Sequence, residues 1–213
     1  MKHKHLTFML AVLMSMVANV ASAYDFEEAG IYYHITSSTN KTVEVVSCPF
    51  YELDNEYSGS VTIPKSVSYN NTTYSVTEIG SDAFRACSLL TSISIPNSVT
   101  EIGSDAFVYC SGLTSIAIPN SVTKIGQGAF NGCSGLTSII VNSDNVTFDS
   151  RNNCNAIIET SSNTLIVGCK NTNIPNNVAK IGSDAFSECT ELTSITIPNS
   201  VTEIGPRAFS GCI

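Results

Sequence analysis

The chain has no tryptophan and a single glutamine, and only 13% of its 213 residues carry a charge. Lysine and arginine number 10 against 18 acidic residues, a formal charge of −8 with an isoelectric point near 4.7. A helical bundle draws on Ala, Leu, Glu, Lys and Gln, so one Gln and 10 Leu against 21 Ile exclude an all-α fold and favour strand. The acidic balance excludes nucleic acid as a partner, because phosphate binding needs a basic face. No CxxC, HExxH, GxSxG or phosphate-loop pattern occurs, so no catalytic residue, cofactor or metal ligand is expected. What is abundant is small and polar: Ser, Thr and Asn total 70 residues, a third of the chain.

The N-terminus differs from the rest. Lys2 and Lys4 precede an apolar run over residues 6–20, and Ala21-Ser22-Ala23 supplies small residues at a cleavage site. Residues 1–23 therefore read as a signal peptide; the run is short for a membrane-spanning helix. All four methionines and two of the three histidines lie there, leaving His34 alone in the mature chain. Loss of two lysines takes the formal charge from −8 to −10. No cysteine follows the cleavage site, so a lipid anchor is not indicated. The expectation is an exported protein at the cell surface, secreted or in the periplasm, with no transmembrane segment in the mature chain.

A repeat dominates the mature chain. Residues 75–97 (SVTEIGSDAFRACSLLTSISIPN) and 98–120 (SVTEIGSDAFVYCSGLTSIAIPN) agree at 19 of 23 positions without a gap. The phase continues over 121–143, returns over 177–199, and begins again over 200–213, an incomplete last repeat. Residues 144–176 form an irregular 33-residue coil. An echo at Ser60-Val61-Thr62-Ile63-Pro64 places the start of the array at residue 60, leaving 24–59 as a non-repeating N-terminal β-cap. Within one period, Leu90-x-x-Ile93-x-Ile95 has strand spacing and Pro96 ends that strand. Ser81-Asp82 before Ala83-Phe84 predicts a short helical or 3₁₀ turn, and Gly80 a corner. Twenty-three residues cannot bury an apolar face alone, but stacked coils can. Phe84, Phe107, Phe130, Phe186 and Phe209 should then form one internal ladder.

The unit xVTxIGxxAFxxCxxLTSIxIPN resembles the BspA-like class of leucine-rich repeat, found in surface and secreted proteins of anaerobic mouth and gut bacteria and in some parasitic protists. The resemblance covers residues 60–213. It implies a right-handed, β-rich solenoid with a parallel sheet on one face, and adhesion or macromolecular recognition as its work. Host matrix proteins, glycans and other cell-surface proteins are the partners it suggests.

Cys87, Cys110, Cys133, Cys189 and Cys212 share one repeat position beside the phenylalanines. Coils stacked about 5 Å apart hold Cβ atoms too far from one another for the roughly 3.8 Å a disulfide prefers, so these read as buried free thiols. Cys154 and Cys169 differ: a turn at Ser161-Ser162 sets Ile158 opposite Leu165 and Cys154 opposite Cys169, where a disulfide is open. Cys48 is unassigned.

Carboxylates also stack by the repeat, Glu78 with Glu101 and Asp82 with Asp105. Such columns allow a weak cation or a glycosidase-like pair, against the simpler reading of solvated and cap positions. His34 reads as a surface strand histidine. Asn40, Asn70, Asn71 and Asn145 begin N-x-Ser/Thr sequons. The outward sheet positions include Ser92, Ser94, Ser115, Ile140, Ser194 and Thr196; the variable positions after each Phe include Arg85, Val108 and Tyr109, the only aromatic among them. These are the expected partner surface. The alternatives are a structural module that self-associates end to end through an incompletely capped solenoid, and, more remotely, a carbohydrate-active enzyme using paired carboxylates.

Overall fold

The computed structural model describes residues 24–48 and 57–212. Residues 1–23, the expected signal peptide, lie outside it. Sixteen short strands and one 3₁₀ turn make up the regular structure of the described residues. No helix among them is long and apolar enough to cross a membrane.

At the N-terminal end β1 (Phe26–Glu28), β2 (Ile31–Ser37) and β3 (Thr42–Val46) form an antiparallel meander. Alternate residues of β3 are buried, Val43 and Val45 completely, which is the two-residue period of a sheet with one covered face. β3 then pairs parallel with β6 (Thr72–Ile79), joining the meander to the repeats. β5 (Ser66–Tyr69) folds back on β6 through Asn70-Asn71, both with positive φ (48° and 59°), the turn whose twist suits a two-residue hairpin.

Each repeat over residues 75–143 contributes two strands, one of which its sequence did not announce. The expected one appears as β7 (Leu90–Ser94), β9 (Ser115–Ile118) and β11 (Ser138–Val141). β7 pairs with β4 (Gly59–Thr62) and β9 with β11, both parallel. The second is the Glu-Ile or Lys-Ile pair before each corner glycine. β6 is continued by β8 (Glu101–Ile102) and β10 (Lys124–Ile125) in one parallel ladder, and β15 (Lys180–Ile181) by β16 (Glu203–Ile204) in another. Threonine hydroxyls reinforce the stack. Thr100, Thr123, Thr114, Thr137 and Thr202 each bond a backbone carbonyl 23 residues earlier, so two threonine positions of the repeat form rungs between coils.

The short helical turn expected at Ser81–Phe84 does not form. Asp82, Asp105, Gly128, Asp184 and Arg207 all have positive φ, and so do Ala86, Tyr109, Gly132, Glu188 and Gly211 four residues later. This alternation turns every second N–H sideways. The amides of Asp82, Phe84 and Ala86 donate to the carbonyls of Ser104, Ala106 and Val108 on the next coil (3.0, 2.7 and 2.8 Å). Those of Asp105, Phe107 and Tyr109 reach Gln127, Ala129 and Asn131 in the same way. A helix would spend these donors along its own axis; here they tie coil to coil. The corner needs glycine because coils approach closely: a Cβ on Gly103 would lie 2.5 Å from the Ser81 nitrogen.

The phenylalanine ladder is two stacks rather than one. Phe84, Phe107 and Phe130 stack face to face at 5.1 and 5.2 Å, and Phe186 on Phe209 at 5.0 Å. Between them the irregular coil adds no ring to either stack. It contributes instead the hairpin of β13 (Ala156–Glu159) and β14 (Thr164–Gly168), flanked by β12 (Phe148–Asp149) and by β15. Gly168 lies against Phe186 where a ring would otherwise be; a Cβ there would be 2.1 Å from Cε1 of Phe186. The core divides accordingly into two apolar clusters.

Candidate functional site

The residues expected at a partner surface occupy both exposed and buried positions. Tyr109 is 49% exposed, and its ring covers Gly132 of the next coil, where a Cβ would meet Cδ1 at 2.4 Å. With φ of 60°, the tyrosine is held in left-handed backbone and braced from below. Arg85 is exposed and paired with Asp82 at 2.9 Å. Val108 does not belong with them. It is 6% exposed, in a turn with a coil on either side, because the in-out alternation buries its position in the middle of the array.

The sheet face is shorter than expected. Ser94 and Ser115 are exposed, Ser92 is half-buried and donates to the Ser60 hydroxyl at 2.9 Å, and Ile140 is 57% exposed. Ser194 and Thr196 are exposed but lie in no strand: residues 192–198 have no ladder partner, because the irregular coil before them sends its strands into the other sheet. Further exposed apolar residues among those described are Leu89, Val146 (83%), Ile197 and Ile204. Leu89 carries a signal in the sequence, since it stands where the next two repeats have Gly112 and Gly135.

None of the eight cysteines is in a disulfide. Cys110, Cys133 and Cys212 each donate Sγ–H to the carbonyl of Phe84, Phe107 and Phe186 on the preceding coil (2.9, 3.0 and 3.1 Å). Burial pushes the Cys133 thiol up to about 12 and that of Cys189, with help from neighbouring Cys212, to about 11, so both are poor nucleophiles. Cys87 lies at the same position of the first coil and is buried. The disulfide between Cys154 and Cys169 is not present. Ile158 does face Leu165, but Ile157 faces Val167, and this one-residue bulge shifts everything beyond it. Continued outward, that register sets Cys169 beside Asn155, whose carbonyl its thiol reaches at 3.5 Å. Cys48 is buried.

Glu78 and Glu101 are register partners, with Glu44 on the other side of Glu78. Burial first, and the Glu78 charge second, hold the Glu44 carboxyl above its usual range. Lys124 closes the column on Glu101 at 2.6 Å. No group of three or more His, Cys, Asp and Glu gathers for a metal ion among the described residues. His34 Nδ1 lies 3.0 Å from Asp25. Asn145 is a structural residue: buried, it donates to the carbonyls of Pro119 and Val122 and accepts from the amides of Thr147 and Phe148. Its sequon is therefore no glycan acceptor in the folded chain.

The stacked coils, their shared rungs and their 23-residue period define a leucine-rich-repeat protein. The BspA type leucine rich repeat region matches in six copies over residues 60–166 and 166–213, and the chain belongs to that family. Among solved structures it is similar to a leucine-rich cell surface protein from Faecalibacterium prausnitzii, at 21% identity and TM-score 0.49, covering 90% of this chain and 75% of that one. It is also similar to the pneumococcal vaccine antigen PcpA, at 16% identity and TM-score 0.48, over 88% and 68% of the two chains. A leucine-rich repeat protein from Bacteroides ovatus is 26% identical, with TM-score 0.42, over 85% and 55%. No curated protein matches it in sequence.

Proposed function

We propose that the chain is an exported recognition and adhesion module, without catalysis, in which residues 24–59 close the N-terminal end of a right-handed solenoid formed by residues 60–213. Right-handed winding is the sense that parallel crossovers take. The partner is a macromolecule at or beyond the cell surface: a host matrix protein, a glycan or another surface protein. Tyr109 carries this reading. An aromatic side chain held half-exposed by left-handed backbone and a glycine beneath it is already ordered before binding, so little conformational entropy is lost on contact. Arg85 on the adjacent coil extends the same row of turns. A binding screen of the mature chain against matrix proteins and glycans tests the proposal. Tyr109→Ala should weaken the partner found by about tenfold or more and leave the thermal midpoint within a few degrees. Unaltered binding would remove Tyr109 from the site.

A further inference from the structure

The break in the phenylalanine ladder leaves a cleft of about 290 Å³, between the turn at residues 126–131 and the turn at residues 182–188. Phe130, Phe148, Ile166 and Val167 line its apolar side. Gln127 Nε2 and Asp184 Oδ2 meet across it at 3.2 Å. Asp184 is fixed there by Arg207, whose Nε and Nη2 donate at 2.8 and 3.1 Å and hold the carboxyl below its usual range.

The hydrogen-bond ladders show what the cleft is shaped to hold. In a regular pair of coils, three amides of one turn meet three carbonyls of the next, as Asp105, Phe107 and Tyr109 meet Gln127, Ala129 and Asn131. The equivalent donors on the third coil are the amides of Gly128, Phe130 and Gly132; the equivalent acceptors beyond the irregular coil are the carbonyls of Ser183, Ala185 and Ser187. Gly132 reaches Ser187 directly at 3.2 Å, and Gly168 of the irregular coil takes Ala185 at 2.8 Å. The amides of Gly128 and Phe130 and the carbonyl of Ser183 have no partner among the described residues. The two walls thus offer two donors and one acceptor in a wedge that closes where Gly132 meets Ser187, and in the regular pairs these same groups are satisfied by peptide backbone.

We propose that this cleft is a binding site for a short extended peptide, roughly two or three residues of which enter it. Two of its carbonyls accept from the Gly128 and Phe130 amides, and one of its amides donates to Ser183. Its side chains in the cleft are small, since Gly168 already fills the place of the missing ring. They are neutral or basic, since Glu159, Asp184 and Glu188 outnumber Lys124 on the walls. None of Tyr109, Arg85 and the sheet-face serines lines the cleft, so this site and the Tyr109 surface stand or fall separately.

The test is an amide-resolved NMR titration of the mature chain with acetyl-Gly-Ala-Ser-Gly-amide. Saturable shifts at Gly128 and Phe130, without shifts over residues 60–120, are expected, and a spin-labelled copy of the peptide should broaden the same amides. Ser187→Trp, which fills the cleft, should weaken binding by at least about tenfold while the spectrum over residues 60–120 is retained. Absent or scattered shifts would overturn the proposal. So would undiminished binding in Ser187→Trp, or N-acetylglucosamine producing the cleft shifts while the peptide produces none.

Discussion

Residues 60–143 and residues 144–212 use the same repeat with different neighbours. In the first region each coil has a regular coil on at least one side, and phenylalanine rings, thiol-to-carbonyl bonds and turn amides run on without a gap from Phe84 to Phe130. In the second, the irregular coil interrupts the rings, the thiol bonds and two of the three turn amides. Its hairpin starts a second Glu-Ile ladder by pairing β14 with β15, yet supplies no ring for Phe186 and no strand for residues 192–198. Charge differs as well. Glu44, Glu78 and Glu101 lie side by side with one lysine at the end, whereas Lys180 pairs with Glu203 at 2.7 Å and Asp184 with Arg207. A repeat sequence therefore specifies half of each contact; the adjacent coil specifies the other half.

The largest expected effect tests the two stacks. Phe107, fully buried between two rings, should cost about 3–5 kcal/mol when changed to alanine, measured by urea denaturation. Phe209, half-buried with a ring on one side only, should cost about half as much. Equal losses would erase the distinction between the regions. Next, Asn145→Ala should cost about 3 kcal/mol, because it strands backbone groups of Pro119, Val122, Thr147 and Phe148 at the joint between the regions.

The charges give opposite pH signatures. Asp184 titrates lower in the folded chain, so its contribution is present above about pH 4 and is lost as pH falls from there through the folded value. Arg207→Ala should lower the thermal midpoint at neutral pH and progressively less in acid. Glu44 titrates higher when folded, so its ionisation costs stability that grows as pH rises from about 4 through the folded value. Glu44→Gln should raise the midpoint at neutral pH and not in acid. Midpoints tracked from about pH 3 to 7 that moved in parallel would contradict this difference. The smallest effect is backbone relief. Ala86→Gly, at φ of 59°, should gain about 0.5 kcal/mol, the left-handed penalty less the entropy of glycine.

Much of the fold is legible in one dimension. The 23-residue period locates the coils, the β7-type strand follows from Leu90-x-x-Ile93, and the shared position of the cysteines places five of them beside the rings. Two further marks in the sequence gain their meaning only beside the structure. Asp recurs at the left-handed turn position because its short polar side chain tolerates that backbone, and Gly128 takes its place once. Gly112 and Gly135 are glycines because a Cβ would meet the Ser88 and Ser111 carbonyls at 2.3 Å, whereas Leu89 and Glu191 stand at the same position where no regular coil precedes. Those two side chains mark the ends of uninterrupted stacking.

The sequence by itself determined the coil length, the alternation of inward and outward residues and the family, because a period of apolar positions is a local property that survives in one dimension. Tertiary structure alone decided that the turn is not helical, that Val108 is buried, that the hairpin bulge parts Cys154 from Cys169, and that a cleft opens between the third coil and its successor. Each of these depends on which backbone groups of a neighbouring coil are within reach, and a hydrogen-bond donor in a solenoid finds its partner about 23 residues away rather than three or four.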